Sequence, residues 1–468
     1  MIDREGALAL VRRVLALSRA EQTELILSSG STELTRFAEN AITQNVANRD
    51  ESLSIHLISG KREGKADTNQ FDDEHLARAV EAASRVMELA REDPQLPPLV
   101  EKQPALRAVG AFFPATAETS PAERAQVVAE ACARCRKEGL QGSGIFSTSA
   151  GSLAYANSKG VFAFHKATRA SFSLTANGAD GASEGWALAS DQDIGCLDWE
   201  KTVRIAIDKA KRSKNPDSLP PGRYTVVLEP AAVSELMLFM SYLGFSSLDY
   251  LEGRSYVCGK LGEKLFSEKF TVRDDAYHPE IRGCPFDFEG SAREPVTLIE
   301  RGVAKNLVWD RRTAAREPQA LSANGRSGRF PNGKRASTGH ALPQPNPWGP
   351  QAEHIVVEGG DSTLDEMIRS TDRGLLVTKF HYTNVVNRVE LSVTGMTRSG
   401  LFLIERGEVA RPVKNFRFTV SLLEVFGEEN LESLGPAVPT GGALFDGGVM
   451  ICPPMKIRNF QMTSATEF

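Results

Sequence analysis

The ten residues SKNPDSLPPG, Ser213–Gly222, decide how this chain is divided. Prolines at 216, 220 and 221 each lack an N–H and fix their own φ, so the segment sustains neither a helix nor a paired strand. Working outward, the two sides differ in texture. Before the linker, Trp199–Ala210 reads as a helix, preceded by strands at Gly151–Tyr155, Val161–His165, Ala170–Leu174 and Gly185–Ala189. Further back, Ser120-Pro121-Ala122-Glu123 combines an N-cap serine, a proline at the first helical position and a glutamate at the third, which is a capping box.

The first hundred residues continue in this mixed style. Residues 3–18 carry Ala7, Leu8, Leu10, Val11, Val14 and Leu15 at helical spacing. Thr23–Ser29 and Ser52–Ser59 read as strands, with Leu53, Ile55 and Leu57 alternating with polar residues. Asp72 to Glu92 is helical until the proline-rich Asp93–Leu99. Beyond the linker, Arg223–Leu228 is a buried strand and Pro230 opens a helix to about Ser241. From about residue 270 the pattern is short strands with Gly and Pro turns, and only Ser362–Ser370 is helical. The predicted fold class is α+β: an N-terminal α/β-layered domain over 1–218 (sub-regions about 1–98 and 115–218), then a mostly antiparallel β domain over 222–468 with a few helices.

Composition fits an ordinary globular protein. The 468 residues are 41% hydrophobic and 25% charged, and about 150 residues per domain gives about three domains. With 55 basic and 60 acidic residues the net charge is -5, which argues against a nucleic-acid binder. Charges interrupt the N-terminal MIDREGALALVRRVLALSRAEQ, so it does not read as an export signal, and no apolar run reaches the roughly 18 residues of a membrane span. Six cysteines without a paired framework suit a reducing compartment, so a cytoplasmic location is expected.

Several motifs invite chemistry. Cys132-Ala-Arg-Cys135 has the spacing of half a zinc site, but no second pair exists, and Val128, Cys132 and Cys135 share a helical stripe. Gly328–Arg335 approaches a phosphate-binding loop, yet Arg335 stands where a hydroxyl must reach magnesium. Residues 301–340 hold Arg301, Lys305, Arg311, Arg312, Arg316, Arg326, Arg329, Lys334 and Arg335, read either as a solvated loop or as a cationic lip for a carboxylate. The seven histidines form no helical ligand pair.

Longer stretches carry a resemblance. Gly374–Asn384 (GLLVTKFHYTN), Thr394–Glu405 (TGMTRSGLFLIE) and Pro412–Phe418 (PVKNFRF) follow one another. Upstream stand Phe286–Gly290 (FDFEG), Leu298–Gly302 (LIERG), Ser337–His340 (STGH) and Val357–Asp361 (VEGGD), and near the N-terminus Arg36–Asn40 (RFAEN) and Thr43–Val46 (TQNV). In this order they resemble the TldD/PmbA family across nearly the whole chain.

The resemblance implies a metallopeptidase system of two related subunits that cuts leader peptides or small unfolded proteins. Its active subunit carries His-Glu-x-x-x-His on the first helix of the C-terminal domain and a cysteine ligand further on. Two imidazoles hold zinc, zinc acidifies its bound water, and the glutamate takes the proton. Here that helix reads Ser234-Glu235-Leu236-Met237-Leu238-Phe239, with Ser234 and Phe239 in the imidazole positions and no cysteine in Thr394–Glu405. The chain therefore resembles the metal-free, TldE-type subunit. No metal or other cofactor is expected on this chain, and zinc is expected in the partner, a TldD-like metal-bearing subunit. His381, Tyr382, Thr383, Asn384 and Arg398 are the candidate contacts for an extended peptide, accepted by backbone pairing at a strand edge. A homodimer is one state open to the chain when alone, and neither nucleic acid nor membrane is expected as partner. Two other readings stand beside this one: an independent peptidase with ligands drawn from His278, His340, His381, Cys284 and Glu235, and a peptide-binding adaptor that does not support cleavage.

Overall fold

The computed structural model describes residues 1–181, 183–316, 336–441 and 449–465. The N-terminal side builds a single antiparallel sheet in the order β3-β2-β1-β4-β5-β6. Its strands are β1 (Gln22–Ala38), β2 (Ala41–Ser59), β3 (Arg62–Thr68), β4 (Leu140–Asn157), β5 (Phe162–Gly178) and β6 (Glu184–Asp191). Helices α1 (Arg4–Leu17), α2 (Asp73–Leu89), α4 (Pro121–Lys137) and α5 (Trp199–Arg212) pack on this sheet, and a short α3 (Pro114–Ala117) precedes α4. Side chains alternate across a strand, so one parity faces the helices. Leu25, Leu27 and Phe37 of β1 join Phe146, Ala154 and Ala156 of β4 against α1, α2, α4 and α5. The opposite parity, Ile26, Leu153 and Tyr155, meets Phe286 from the second half of the chain.

The capping box forms as read: Ser120 Oγ accepts from the Glu123 amide, and Glu123 accepts from the Ser120 amide at 2.7 Å. The strands are longer than their alternating cores imply. Thr23–Ser29 and Ser52–Ser59 are the inner ends of one hairpin, whose outer part runs through residues 30–50. Val161–His165 and Ala170–Leu174 are one continuous strand, β5.

Past residue 222 come β7 (Gly222–Leu228), β8 (Val272–Asp274), β9 (Val296–Glu300), β10 (Val303–Ala304), β11 (Ile355–Val357), β12 (Arg373–Asn387), β13 (Ser392–Glu405), β14 (Glu408–Pro412), β15 (Phe416–Ser421), β16 (Leu431–Leu434), β17 (Val438–Gly441), β18 (Val449–Cys452) and β19 (Met455–Ala465). Helices α6 (Pro230–Gly244), α7 (Ser247–Leu251), α8 (Arg311–Ala315), α9 (Leu364–Arg369) and α10 (Leu422–Val425) are interspersed. Strands β12, β7, β19, β15 and β13 pair in that order, and β13 pairs back to β12, so the sheet closes on itself. Closure encloses an apolar core, while β12 beyond Val377 keeps one edge unpaired by any strand among the described residues. A second, smaller sheet runs β10-β9-β8-β11-β18-β17. Pairing is mostly antiparallel, with β7–β12 and β11–β18 parallel. The fold is α+β, as the sequence predicts.

The two halves meet through charged side chains. His56 Nδ1 lies 3.3 Å from Glu24 Oε1, and its Nε2 lies 2.9 Å from Glu63 Oε2. Arg311 reaches Glu24 and Glu289, each at 3.2 Å, and Arg312 bonds Glu63 and Asp93. This corrects part of the cationic-lip expectation: Arg311 and Arg312 are consumed by buried and half-buried carboxylates. Arg301 and Lys305 pair with Glu268 and Glu300. The phosphate-loop-like Gly328–Arg335, with Arg326 and Arg329, lies outside the described residues.

Candidate functional site

Helix α6 begins where β7 ends. Pro230 occupies its first turn, and the N-cap Glu229 receives the Lys209 ammonium at 2.6 Å. Most of its surface is apolar and buried: Ala232, Val233, Leu236, Met237 and Met240 sit in the core of the closed sheet. The residues left partly open recur as Ala231, Glu235, Leu238, Phe239 and Tyr242, a single helical face.

Ser234 points away from that face. It is buried, and its Oγ lies 3.0 Å from the Ala231 carbonyl and 3.2 Å from the Gly441 carbonyl of β17. Phe239 packs against the core and has no donor atom. Of the two positions where a zinc helix places its imidazoles, Phe239 has no ligand atom and the Ser234 hydroxyl, a weak ligand, is spent on the Gly441 carbonyl; Glu235 alone remains. Zinc wants at least three nitrogen, sulfur or carboxylate ligands, and this donor set does not fit it. Among the described residues no group of three or more His, Cys, Asp or Glu is arranged to hold a metal ion.

Glu235 instead belongs to a polar junction with β12, β13 and β6. Burial pushes its pKa up, partly offset by the Thr383 hydroxyl and the Lys379 ammonium. Lys379 is pulled down by burial, against the attraction of Glu184. Its ammonium stands 4.1 Å from the centre of the Trp186 ring, a cation–π contact across the two halves of the molecule. Arg398 Nε is 3.5 Å from Glu184 Oε1, and Ser399 donates to the same carboxylate. His381 is shifted down by burial and by the neighbouring Arg398 and Lys379, which favours neutral imidazole.

Two irregularities in the β12–β13 ladder shape this junction. Val377 faces Leu401 and Lys379 faces Arg398, which leaves one residue, Thr378, opposite two, Ser399 and Gly400. His381 faces Met396 and Asn384 faces Thr394, so Tyr382 and Thr383 bulge opposite Gly395. Tyr382 takes φ 57° and Ser399 φ 59°, both in the left-handed region, as bulges that re-aim side chains require. Gly395 is needed here, because a Cβ would lie 2.9 Å from Thr383 Oγ1 and 2.8 Å from the Phe418 ring. The Thr383 hydroxyl is buried and completes no hydrogen bond; its approach to Glu235 is a looser polar contact.

The expected peptide contacts divide accordingly. Thr383 approaches Glu235, whereas His381 and Arg398 gather with Lys379 and Glu184. Tyr382 is 74% exposed beside His381, with ring centres 5.9 Å apart, and Asn384 is exposed and donates to the Tyr382 carbonyl. Sequence reading missed Lys379, Glu184 and Trp186. Lys379 lies inside the quoted GLLVTKFHYTN, and Glu184 and Trp186 open a recognised strand, but only the tertiary fold shows that β6 packs on β13.

The rearranged-ligand set does not assemble. His340 is fully buried, 3.0 Å from Asp274 and 2.9 Å from the Thr338 hydroxyl. The Cys284 thiol is pushed up to about 12 by burial, and the His278 ring accepts from the Glu280 amide. Cys132 and Cys135 are buried between α4 and the sheet, as their helical stripe implies.

The junction therefore joins an apolar helix and a closed sheet to β6, with no complete set of zinc ligands among the described residues. Three family models match: PmbA/TldA metallopeptidase domain 1 at residues 23–86, the central domain at 115–214 and the C-terminal domain at 221–464. Metalloprotease PmbA of Escherichia coli O157:H7 is 22% identical, over 95% of this chain and 93% of that protein. A metalloprotease of Methanothermobacter thermautotrophicus is 26% identical over 66% of each chain, so just under two thirds of that relative is spanned. The crystal structure of TldE from Thermococcus kodakarensis superposes with a TM-score of 0.84 at 21% identity, covering 98% of this chain and all of that one, and so shares the fold. With its matched models spanning most of its length, the chain belongs to the PmbA/TldD metallopeptidase family.

Proposed function

We propose that this chain is the non-catalytic subunit of a two-subunit zinc metallopeptidase, paired with a TldD-like homologue that holds the metal, and that it helps enclose extended leader peptides or small unfolded proteins. The observation that carries this reading is the donor set on α6: Glu235 is present, Phe239 has no ligand atom, and Ser234 is turned into a structural hydrogen bond with Gly441. A lone glutamate cannot hold zinc, and without zinc it has no acidified water to deprotonate.

The chain's own residues are suited to holding a peptide. β12 pairs with β7 only over Gly374–Val377; from Lys379 to Asn387 its strand neighbour among the described residues is β13 alone. The other edge of this stretch runs beside α6 and can add an extended strand through main-chain hydrogen bonds, which gives affinity with little sequence preference. Lys379, His381 and Arg398 supply donors at the start of that edge. The test is elemental zinc per chain on untagged protein after mild dialysis. Near zero is expected; close to one per chain overturns the reading.

A further inference from the structure

A cavity of about 280 Å³ lies at the far end of α6, lined by Tyr242, Asp249, Arg254, Trp348, Gln351 and Arg388, with Pro347 at its rim. Tyr242 lies on the same helical face as Glu235, seven residues along, which is about 10 Å at 1.5 Å per residue. Arg388 follows β12 directly, so the cavity closes the seam between α6 and β12 that starts at Glu235 and Lys379. An extended chain advances about 3.3 Å per residue, so about three peptide residues span this distance.

The cavity wall is built. Arg254 pairs with Asp249 at 2.9 Å and with Glu252 at 2.5 Å, and Arg388 reaches Asp249 at 3.3 Å, so two guanidiniums with five N–H donors each line the cavity beside one another. Arg388 also stacks on Tyr242, 5.0 Å from the ring centre, and donates to its hydroxyl at 3.1 Å. Gln351 is 3% exposed, and its Oε1 is buried without a hydrogen-bond partner. Trp348 is 52% exposed yet held in place: its amide donates to Asn346 Oδ1 at 2.9 Å, and its carbonyl accepts from Ser246 Oγ at 3.3 Å. An orphaned acceptor, two adjacent guanidiniums that a carboxylate can bridge and a fixed indole face together describe a ligand with an N–H donor, a carboxylate and an apolar body.

Resting on the reading that the seam takes extended peptides, we propose that this cavity is a specificity subsite for a carboxylate-bearing peptide residue, about three residues from the position beside Glu235. Gln351 accepts the peptide N–H, Arg254 and Arg388 meet the carboxylate, and Trp348 covers the side chain. The carboxylate belongs either to an acidic side chain or to the peptide C-terminus.

Four peptides read this on the full chain by calorimetry and tryptophan fluorescence: N-acetyl-Phe-Glu, N-acetyl-Phe-Glu-amide, N-acetyl-Phe-Gln and N-acetyl-Phe-Gln-amide. The last, with no carboxylate, is expected to bind at least tenfold more weakly than the first. Whichever of the middle two keeps the affinity identifies the carboxylate. Arg388→Gln and Trp348→Ala are each expected to weaken binding of N-acetyl-Phe-Glu at least tenfold. Trp348 is exposed, so its variant keeps the fold, checked by the melting temperature. Equal affinity for all four peptides, no binding of N-acetyl-Phe-Glu at millimolar concentration, or unchanged affinity in Trp348→Ala overturns the subsite. Binding is read without partner or metal, so this outcome is separate from the zinc and cleavage results.

Discussion

Ser234 Oγ lies 3.2 Å from the carbonyl oxygen of Gly441, tying α6 to the last described residue of β17. The position at which a zinc helix presents an imidazole is here a strut between the helix and the second sheet. Ser234→Ala should cost about 1 kcal/mol, the net value of a hydrogen bond. Ser234→His must also push a ring into a buried site, and should cost about 1–3 kcal/mol. Urea midpoints check both. A histidine variant as stable as the wild type would show that the site has room for the ligand.

Glu235 and Lys379 form a titrating pair at the mouth of the seam. Burial raises the carboxyl pKa above 4.5, so its folded form holds the proton more tightly than the unfolded chain does. That contribution is complete below pH 4.5 and is lost as pH rises through the folded value. Glu235→Gln should therefore gain stability relative to the wild type between acidic and neutral pH. Lys379→Met removes the attraction that favours ionisation, and should raise the Glu235 pKa further, observable by carbon NMR of the carboxyl. A fall in that pKa would contradict the arrangement.

His56 is a pH-dependent element whose shift runs upward. Burial works against its charge, but Glu24 and Glu63 more than offset it and raise its pKa to about 9. Its stabilisation is complete below 6.5 and is lost as pH rises from 6.5 through about 9, at most about 3 kcal/mol. Glu63, lowered to about 2 by His56 and Arg312 against its own burial, loses its share as pH falls below 4.5. Melting temperatures should peak between these limits. His56→Gln should flatten the alkaline side; an unchanged alkaline slope would mean that the imidazole is not held between the two carboxylates.

The cysteines should separate by access. Cys135, Cys284 and Cys452 are each pushed up to about 12 by burial, Cys132 is also raised, and Cys258 is buried. Cys196 is exposed. A thiol reagent on native protein should label one cysteine quickly and the others only on unfolding, since the thiolate is the nucleophile. A second fast thiol would contradict the shielding of the other five.

Local signals in the sequence carried far. The capping box at Ser120 and Glu123, Pro230 at the start of α6 and the alternation in Leu53–Leu57 each act through neighbours a few residues away, and the structure has them where the pattern puts them. The outer part of the β1–β2 hairpin was not legible. Ala41–Asp50 is exposed on both faces, so no apolar alternation marks it, and pairing with β1 alone holds it extended. The loss of ligands on α6 could be read directly, whereas the company of Glu235 could not. Glu184, Trp186 and Lys379 come together only because β6 of the first sheet packs on the closed sheet of the second half, a relationship between residues almost two hundred positions apart.

The most direct test of the account is hydrolysis of an unfolded peptide by this chain, by a TldD-like homologue carrying His-Glu-x-x-x-His, and by the two mixed. The account predicts no cleavage by this chain alone with zinc supplied, and chelator-sensitive cleavage by the mixture that exceeds that of the homologue alone. Chelator-sensitive cleavage by this chain alone would contradict it.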